Sequence, residues 1–269
     1  MQISYPSSSM FKVLKYSFYD LSRSRWTYAY LLFFLLVTFG LLNFSLDLSK
    51  TIVSLMNIVL ILCPLIGTLF GALYYYNSRE FIDLLLALPL PRRAIFLGKY
   101  LGLSLSLAMS FLLGVIIPMA IFGIFSTGLL LNFLVLLSTG LFLTFIFTAI
   151  AFLVAIRFEN PIRGFGAAIF IWLFLAVIYD GILLLTLMFF EHYPLDKFAL
   201  VMTLFNPVDL SRVLIMLQLD ISALMGYTGA VFNKFLGTGT GMAVAYAALT
   251  LWVVLPVIGF IRLARRKDF

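Results

Sequence analysis

Six stretches of this sequence are apolar for long enough to cross a bilayer as single helices, and that limits the fold before any motif is considered. A hydrocarbon core about 30 Å thick takes about 20 helical residues at 1.5 Å each. The runs lie at about Trp26 to Phe44, Thr51 to Tyr75, Ala94 to Phe125, Leu129 to Ile156, Phe165 to Phe190 and Gly241 to Ile261. Inside lipid every backbone N–H and C=O must be satisfied by the chain itself, which leaves helices or a closed barrel, and runs of this length select helices. With 64% of its 269 residues hydrophobic and 11% charged, the chain has too little polar surface to cover a soluble domain. The expected class is an all-α polytopic membrane protein.

The net charge of +7 raises nucleic acid as a partner, but the basic residues fall in short clusters between the apolar runs. That is the pattern of loops flanking membrane spans, and nucleic acid is excluded on it. With both termini inside, 14 of the 18 basic residues are cytoplasmic, among them Lys12, Lys15, Arg23, Arg25, Arg157, Arg163 and the cluster Arg262, Arg265, Arg266 and Lys267. Only Lys50, Lys197, Arg212 and Lys234 face outward, so the positive-inside rule decides the topology. Met1 to Ser9 carries no basic residue and precedes no typical cleavage site, so no removable signal peptide is read. Next, Phe11, Leu14, Phe18 and Leu21 recur at helical spacing among Lys12, Lys15, Asp20 and Arg23, which predicts an amphipathic helix at the headgroup level before the first span. Residues 1–25 are thus a tail and elbow helix, 26–261 a six-helix transmembrane domain and 262–269 a basic cytoplasmic tail.

Between the second and third runs lies a polar island, Asn77 to Tyr100, reading NSREFIDLLLALPLPRRAIFLGKY. As a helix, Arg79 to Leu88 puts Phe81, Leu84, Leu85 and Leu88 on one face and Arg79, Glu80 and Asp83 mostly on the other. Pro89 and Pro91 bias the residues before them out of the helical region, so an extended elbow should feed a new helix at Arg92 or Arg93. The loop at 77–99 is either a contact surface for a soluble partner or an ordinary cytoplasmic loop whose Arg92, Arg93 and Lys99 only set topology.

The other long loop, 191–239, is extracytoplasmic and contains Asn206-Pro207-Val208-Asp209-Leu210-Ser211-Arg212. Asn206 is a good helix cap with proline at the first helical position, so a helix or re-entrant segment lying on the outer surface is expected from there. Asp209 and Arg212 stand one turn apart. Gly237 to Gly241 then breaks the chain before the last span.

Several chemistries are missing. Gly98-Lys99-Tyr100 has neither a preceding glycine-rich loop nor the hydroxyl that would reach magnesium, so the chain is not a P-loop ATPase. His192 is the single histidine, which excludes a His-based dyad, triad or HExxH site, and Cys63 stands alone in an apolar run, which excludes a disulfide or a thiolate metal cluster. Met188, His192, Met202, Met216 and Met225 are irregularly spaced, as packing residues are, and no metal ligand is assigned. Asp180, the one acidic residue well inside a span, either lines a substrate path or is a satisfied structural carboxylate beside Tyr179.

An amphipathic elbow helix, six spans and a loop carrying a short helix, a Pro-x-x-Arg turn and a Gly-Lys entering span three together resemble the membrane subunits of ABC-2-type ABC exporters. The elements stand here as Arg79 to Leu88, Leu88-Pro89-Leu90-Pro91-Arg92-Arg93 and Leu97-Gly98-Lys99-Tyr100. Phe81-Ile82-Asp83 departs from the Gly-Thr that many members carry after the acidic residue. The resemblance implies an ABC-2, type V exporter-like fold in a bacterial inner membrane, a second copy of the chain and a dimer of separate ATPase subunits that bind ATP and magnesium. This chain itself would hold no cofactor and catalyse nothing. ATPase coupling would fall to Arg79, Glu80, Phe81, Asp83, Leu84, Leu85, Leu88, Pro89, Pro91, Arg92 and Arg93. Within the class, NPVDLSR is similar to a stretch of the NosY-type permeases. That branch implies NosF-type ATPases, a periplasmic β-helical NosD-type protein met near Asn206, Pro207, Asp209 and Arg212, and a role in maturing the copper centres of nitrous-oxide reductase by exporting a sulfur species. The competing functions are an ABC-2 exporter of lipid, peptide or drug, which predicts no reductase phenotype, and a non-transporting assembly scaffold, which predicts no stimulated ATP turnover.

Overall fold

The computed structural model describes residues 6–45, 47–190, 196–219, 235 and 237–266. Among these the chain is helical with no strand. Helix α1 (Pro6–Ser22) is followed by α2 (Arg25–Ser45), α3 (Leu48–Asn77), the short α4 (Arg79–Leu86), α5 (Arg92–Ile121) and α6 (Leu130–Arg157). Then come α7 (Pro161–Leu173), a π-helical stretch Phe174–Ile178, α8 (Tyr179–Phe189), α9 (Asp196–Leu204), α10 (Pro207–Gln218) and α11 (Gly239–Arg266). Six helices are long and apolar enough to span a membrane, namely α2, α3, α5, α6, α7 with α8 as one bent rod, and α11. Helix ends fall where the sequence supplies caps. Asp47 accepts from the Ser49 amide at 2.9 Å to open α3, and Asn160 accepts from the amides of Ile162 and Arg163 to open α7.

Helix α6 is the centre of the bundle. It is the most deeply buried span, and it packs along α3 on one side and α11 on the other, with α5, α7 and α10 closing around it. Helices α2, α7–α8 and α11 sit at the periphery and present Leu36, Phe170, Leu184 and Leu255 outward. A large apolar exterior of this kind is what a lipid or a neighbouring membrane chain covers.

One end of the bundle gathers the basic residues. Tyr76 donates to the Phe158 carbonyl at 2.9 Å, Arg79 to the Glu159 carbonyl at 3.3 Å and Arg92 to the Ala264 carbonyl at 3.4 Å. These bonds hold the end of α3, α4, the start of α5, the α6–α7 turn and the end of α11 together. Helix α5 is 30 residues, about 45 Å, and so is longer than a bilayer core is thick. Its first turns at this end carry α1, which runs beside them in the same direction, with Gly98 against Val13 and Gly102 against Ser17. A methyl group added at Gly102 would lie 2.6 Å from the Ser17 Cβ, so only glycine lets the two backbones approach this closely.

Gly102→Ala should therefore lower the thermal midpoint of the detergent-solubilised protein, through an overpacking cost of about 1–3 kcal/mol. Gly40→Ala, where the added methyl meets nothing within 4 Å, should leave the midpoint unchanged or slightly raised.

Candidate functional site

Two polar places stand out from an otherwise apolar molecule, one at the basic end and one inside the bundle. At the basic end, the sequence predicts a helix over Arg79 to Leu88, and the structure ends it at Leu86 with Ala87 as its cap. Leu88 lies beyond the helix because Pro89 disfavours helical backbone at the residue before it. The elbow then runs through Pro91, extended at φ −67° and ψ 126°, and α5 starts at Arg92.

Which side chains α4 turns outward is a finding of the tertiary structure. Ile82, which the face count over Phe81, Leu84, Leu85 and Leu88 passes over, is the helix's one fully buried residue. Leu84 is 68% exposed and Leu88 53%, and Glu80, Asp83 and Ala87 are exposed beside them. These five positions recur at the three- and four-residue steps of a helix surface, so the exposed stripe is apolar with an acidic border. Leu85 is half-buried against the core, and Arg79 is turned toward the α6–α7 turn by its bond to Glu159. Arg92 is turned toward α11, whereas Arg93 and Pro89 are exposed. Phe81 is 38% exposed, with its ring stacked on Tyr16 of α1 at 5.7 Å.

The second place is built around Asn206. Helices α9 and α10 meet at 112° across Phe205 and Asn206, forming a hairpin that enters the bundle and returns. The expectation that NPVDLSR lies on the outer surface does not hold, since Asn206 is fully buried, Pro207 is buried and Asp209 is 5% exposed. The physical reason is in the sequence of α10: Val208, Leu210, Val213, Leu214, Ile215 and Leu217 surround the helix and leave no wide polar face, and a helix apolar on most sides is buried. The 112° bend between two apolar helices is the geometry of a re-entrant segment or of a broken span.

Asn206 makes that burial tolerable. Its carbonyl oxygen accepts from the Val208 amide at 3.0 Å, capping α10, and its amide nitrogen donates to Asp209 Oδ2 at 2.7 Å and to the Leu175 carbonyl at 2.8 Å. The one group thus ties the hairpin tip to the π-helical stretch of span five. Pi turns inside α-helices recur at functional sites, and this one is held from outside its own helix. Arg212, one turn along α10, donates to Asp180 Oδ2 of α8 at 2.6 Å and lies 3.6 Å from Asp209 Oδ1, which makes no hydrogen bond. Arg212 and Asp180 are about one-quarter to one-third exposed, so the chain of contacts runs from the interior to a partly open rim. Asp180 and the NPVDLSR motif, separate in sequence, are one network of two carboxylates and one guanidinium. Tyr179 donates to the Met202 carbonyl at 2.8 Å and Trp252 Nε1 to the Leu204 carbonyl at 3.2 Å, which close the last carbonyls of α9. An apolar cavity of about 550 Å³ lies between α2, α3 and Phe165, and a second of about 760 Å³ lies below the hairpin tip, lined by Leu204, Phe205, Trp252 and Leu255.

Among the described residues no group of His, Cys, Asp or Glu could hold a metal ion. His192, Met225 and Lys234 lie outside the described residues. The Asn206 bond to Leu175 had no sequence signal, because it joins residues 31 apart.

A bundle of six spans with an elbow helix packed on the third and a short helix between the second and third is the architecture of a transporter's membrane part. The family model for ABC-2 family transporter proteins matches residues 11–268, and the chain belongs to that family. Among characterised relatives it is similar to a protein described as a probable ABC transporter permease protein NosY from Pseudomonas aeruginosa, at 27% identity over 86% of this chain and 88% of that one. A protein of the same description from Stutzerimonas stutzeri is 27% identical over 91% of this chain and 94% of its own length.

Arg212→Ala should be the most destabilising change in the buried network, at about 3 kcal/mol, because it leaves Asp209 buried and unpaired. Adding Asp209→Asn to it should recover part of the loss, as read from thermal midpoints in nanodiscs, whereas two independent, additive costs would show that the guanidinium does not serve both carboxylates.

Proposed function

We propose that this chain is the permease subunit of a NosY-type exporter, in which two copies of it carry two ATPase subunits on the cytoplasmic side. The observation that carries the coupling part is the stripe Glu80, Asp83, Leu84, Ala87 and Leu88, which stands clear of the bundle on a helix followed by a rigid proline elbow. A solvent-exposed apolar stripe with an acidic border fits a groove that is apolar in its floor and basic on its rim. The partner of that chemistry is the ATPase subunit, since an ABC permease has no ATP site of its own.

ATP-driven closure of the ATPases pushes on Leu84 and Leu88. The movement passes through Pro89 and Pro91 into α5, and through the Arg79 bond to Glu159 and the Tyr76 bond to Phe158 into the turn between α6 and α7. Packed helices respond as discrete bodies, so a small displacement at this end becomes a shift of whole spans. The far end holds the gate: the α9–α10 hairpin, latched by Asn206 to Leu175 and by Arg212 to Asp180, opens when span five moves away from it. The length match to the two NosY relatives and the NPVDLSR stretch support the finer reading, with a sulfur species as cargo and a periplasmic β-helical partner that handles copper for nitrous-oxide reductase. Spans α2, α7–α8 and α11, the most outward-facing, are where the second copy and the lipids meet the chain.

Co-expression with the candidate ATPase and β-helical protein, followed by purification in nanodiscs, should give a complex with two permeases, two ATPases and one periplasmic subunit and with ATP turnover. A permease and ATPase pair that ignores the periplasmic protein overturns the NosY-type reading and leaves an exporter of another cargo. Leu84→Asp with Leu88→Asp should abolish ATPase co-purification while the permease stays in the membrane at wild-type level, and retention of the ATPase would remove α4 as the docking element.

A further inference from the structure

We propose that Lys99 is the joint through which α4 moves the bundle, and that Phe81 is the handle it grips and not part of the surface offered to the ATPase. This rests on the reading of α4 as the ATPase-facing helix. Lys99 is on α5, about two turns inside the helix, and is 2% exposed. Its Nζ lies 4.8 Å from the centre of the Phe81 ring of α4 and 4.9 Å from that of Tyr74 at the end of α3. The Phe81 ring is also stacked on Tyr16 of α1, with ring planes 26° apart. The acidic group acting on Lys99 is Asp20, also on α1, and no carboxylate is within 4 Å of it among the described residues. One ammonium therefore stands where α1, α3, α4 and α5 meet, held by ring faces.

A buried cation between two rings is a specific kind of joint. Burying an ammonium is costly unless its charge is met, and ring faces meet it more strongly the drier the site. Contact with a ring face tolerates sliding, whereas a hydrogen-bonded ion pair is directional. A cation between rings thus keeps α4 attached to α5 through a range of tilts. Without Lys99, α4 would keep Ile82, Leu85, the Phe81 stack on Tyr16 and the Arg79 bond to Glu159, but would lose its cation contact with α5, and a push on Leu84 would move α5 less. Gly98 and Gly102, on either side of Lys99, bring α1 close enough for Tyr16 to back the Phe81 ring, which gives the elbow helix a mechanical role.

The test uses the full chain co-purified with its ATPase in nanodiscs. Lys99→Met keeps the length and apolar stem and removes the charge. It should leave ATPase co-purification within twofold of wild type, since Leu84 and Leu88 are untouched, and cut the permease-dependent stimulation of ATP turnover at least fivefold. Lys99→Arg, which keeps a cation able to stack on rings, should restore turnover to within twofold. Phe81→Leu should match Lys99→Met, and the double variant should be no worse than either. In the isolated permease, trypsin cleavage after Arg93 should rise at least threefold in Lys99→Met and Phe81→Leu but not in Lys99→Arg. Wild-type turnover in Lys99→Met, no rescue by arginine, additive losses, or unchanged cleavage would each overturn the joint. If the Leu84 and Leu88 substitutions lose the ATPase while Lys99→Met behaves as wild type, the joint alone fails. If they retain it, the docking reading fails first.

Discussion

Within the hydrocarbon region no water is at hand for an unpaired amide, carbonyl or charge, and the interior of this bundle is arranged around that constraint. Regular helices satisfy it without help. The α9–α10 hairpin does not, because a bend of 112° inside a bundle leaves carbonyls at the end of one helix and amides at the start of the next. The structure meets each of these with a named group: Tyr179 and Trp252 cover carbonyls of α9, Asn206 caps α10, and the Asn206 amide nitrogen takes the Leu175 carbonyl as well. Removing Asn206 would expose donors and acceptors on three elements together, so this side chain, more than any apolar contact, keeps the hairpin folded into the bundle.

The same constraint governs the charges. Asp209 is buried, and its Oδ1 relies on Arg212, which is shared with Asp180. Two carboxylates and one guanidinium carry a net charge of −1, so the network holds more charge than it pairs. At the opposite end the charges are handled differently: Lys99 is met by rings, and Arg79 and Arg92 by backbone carbonyls. At the basic end the Lys99 ring contacts tolerate sliding, whereas Arg79 and Arg92, like the hairpin, are held by directional hydrogen bonds.

Much of the architecture was legible in the chain. The six spans, the elbow after Leu88, the start of α5 at Arg92 and the cap at Asn206 follow from apolar length, from proline's fixed φ and from capping chemistry, all of which are local. The burial of NPVDLSR was less so. The apolar positions around α10 were visible, but its assignment to an outer surface took the length of the surrounding loop as the guide when the missing polar face was the better one. Asp180 and Arg212 could not be paired from sequence, since 32 residues and a bend separate them.

Apolar length and capping chemistry by themselves determined six helices long enough to span a membrane and roughly where they lie, because each depends on residues within a turn or two of one another. Only the tertiary structure decided that Ile82 is the buried residue of α4, that Lys99 is enclosed by Tyr74 and Phe81, and that Asp180, Asp209 and Arg212 form one network. Those depend on which helices become neighbours. Helix packing is set by surfaces distributed over the whole chain, and glycines such as Gly98 and Gly102 show their use only when the helix they admit is in place.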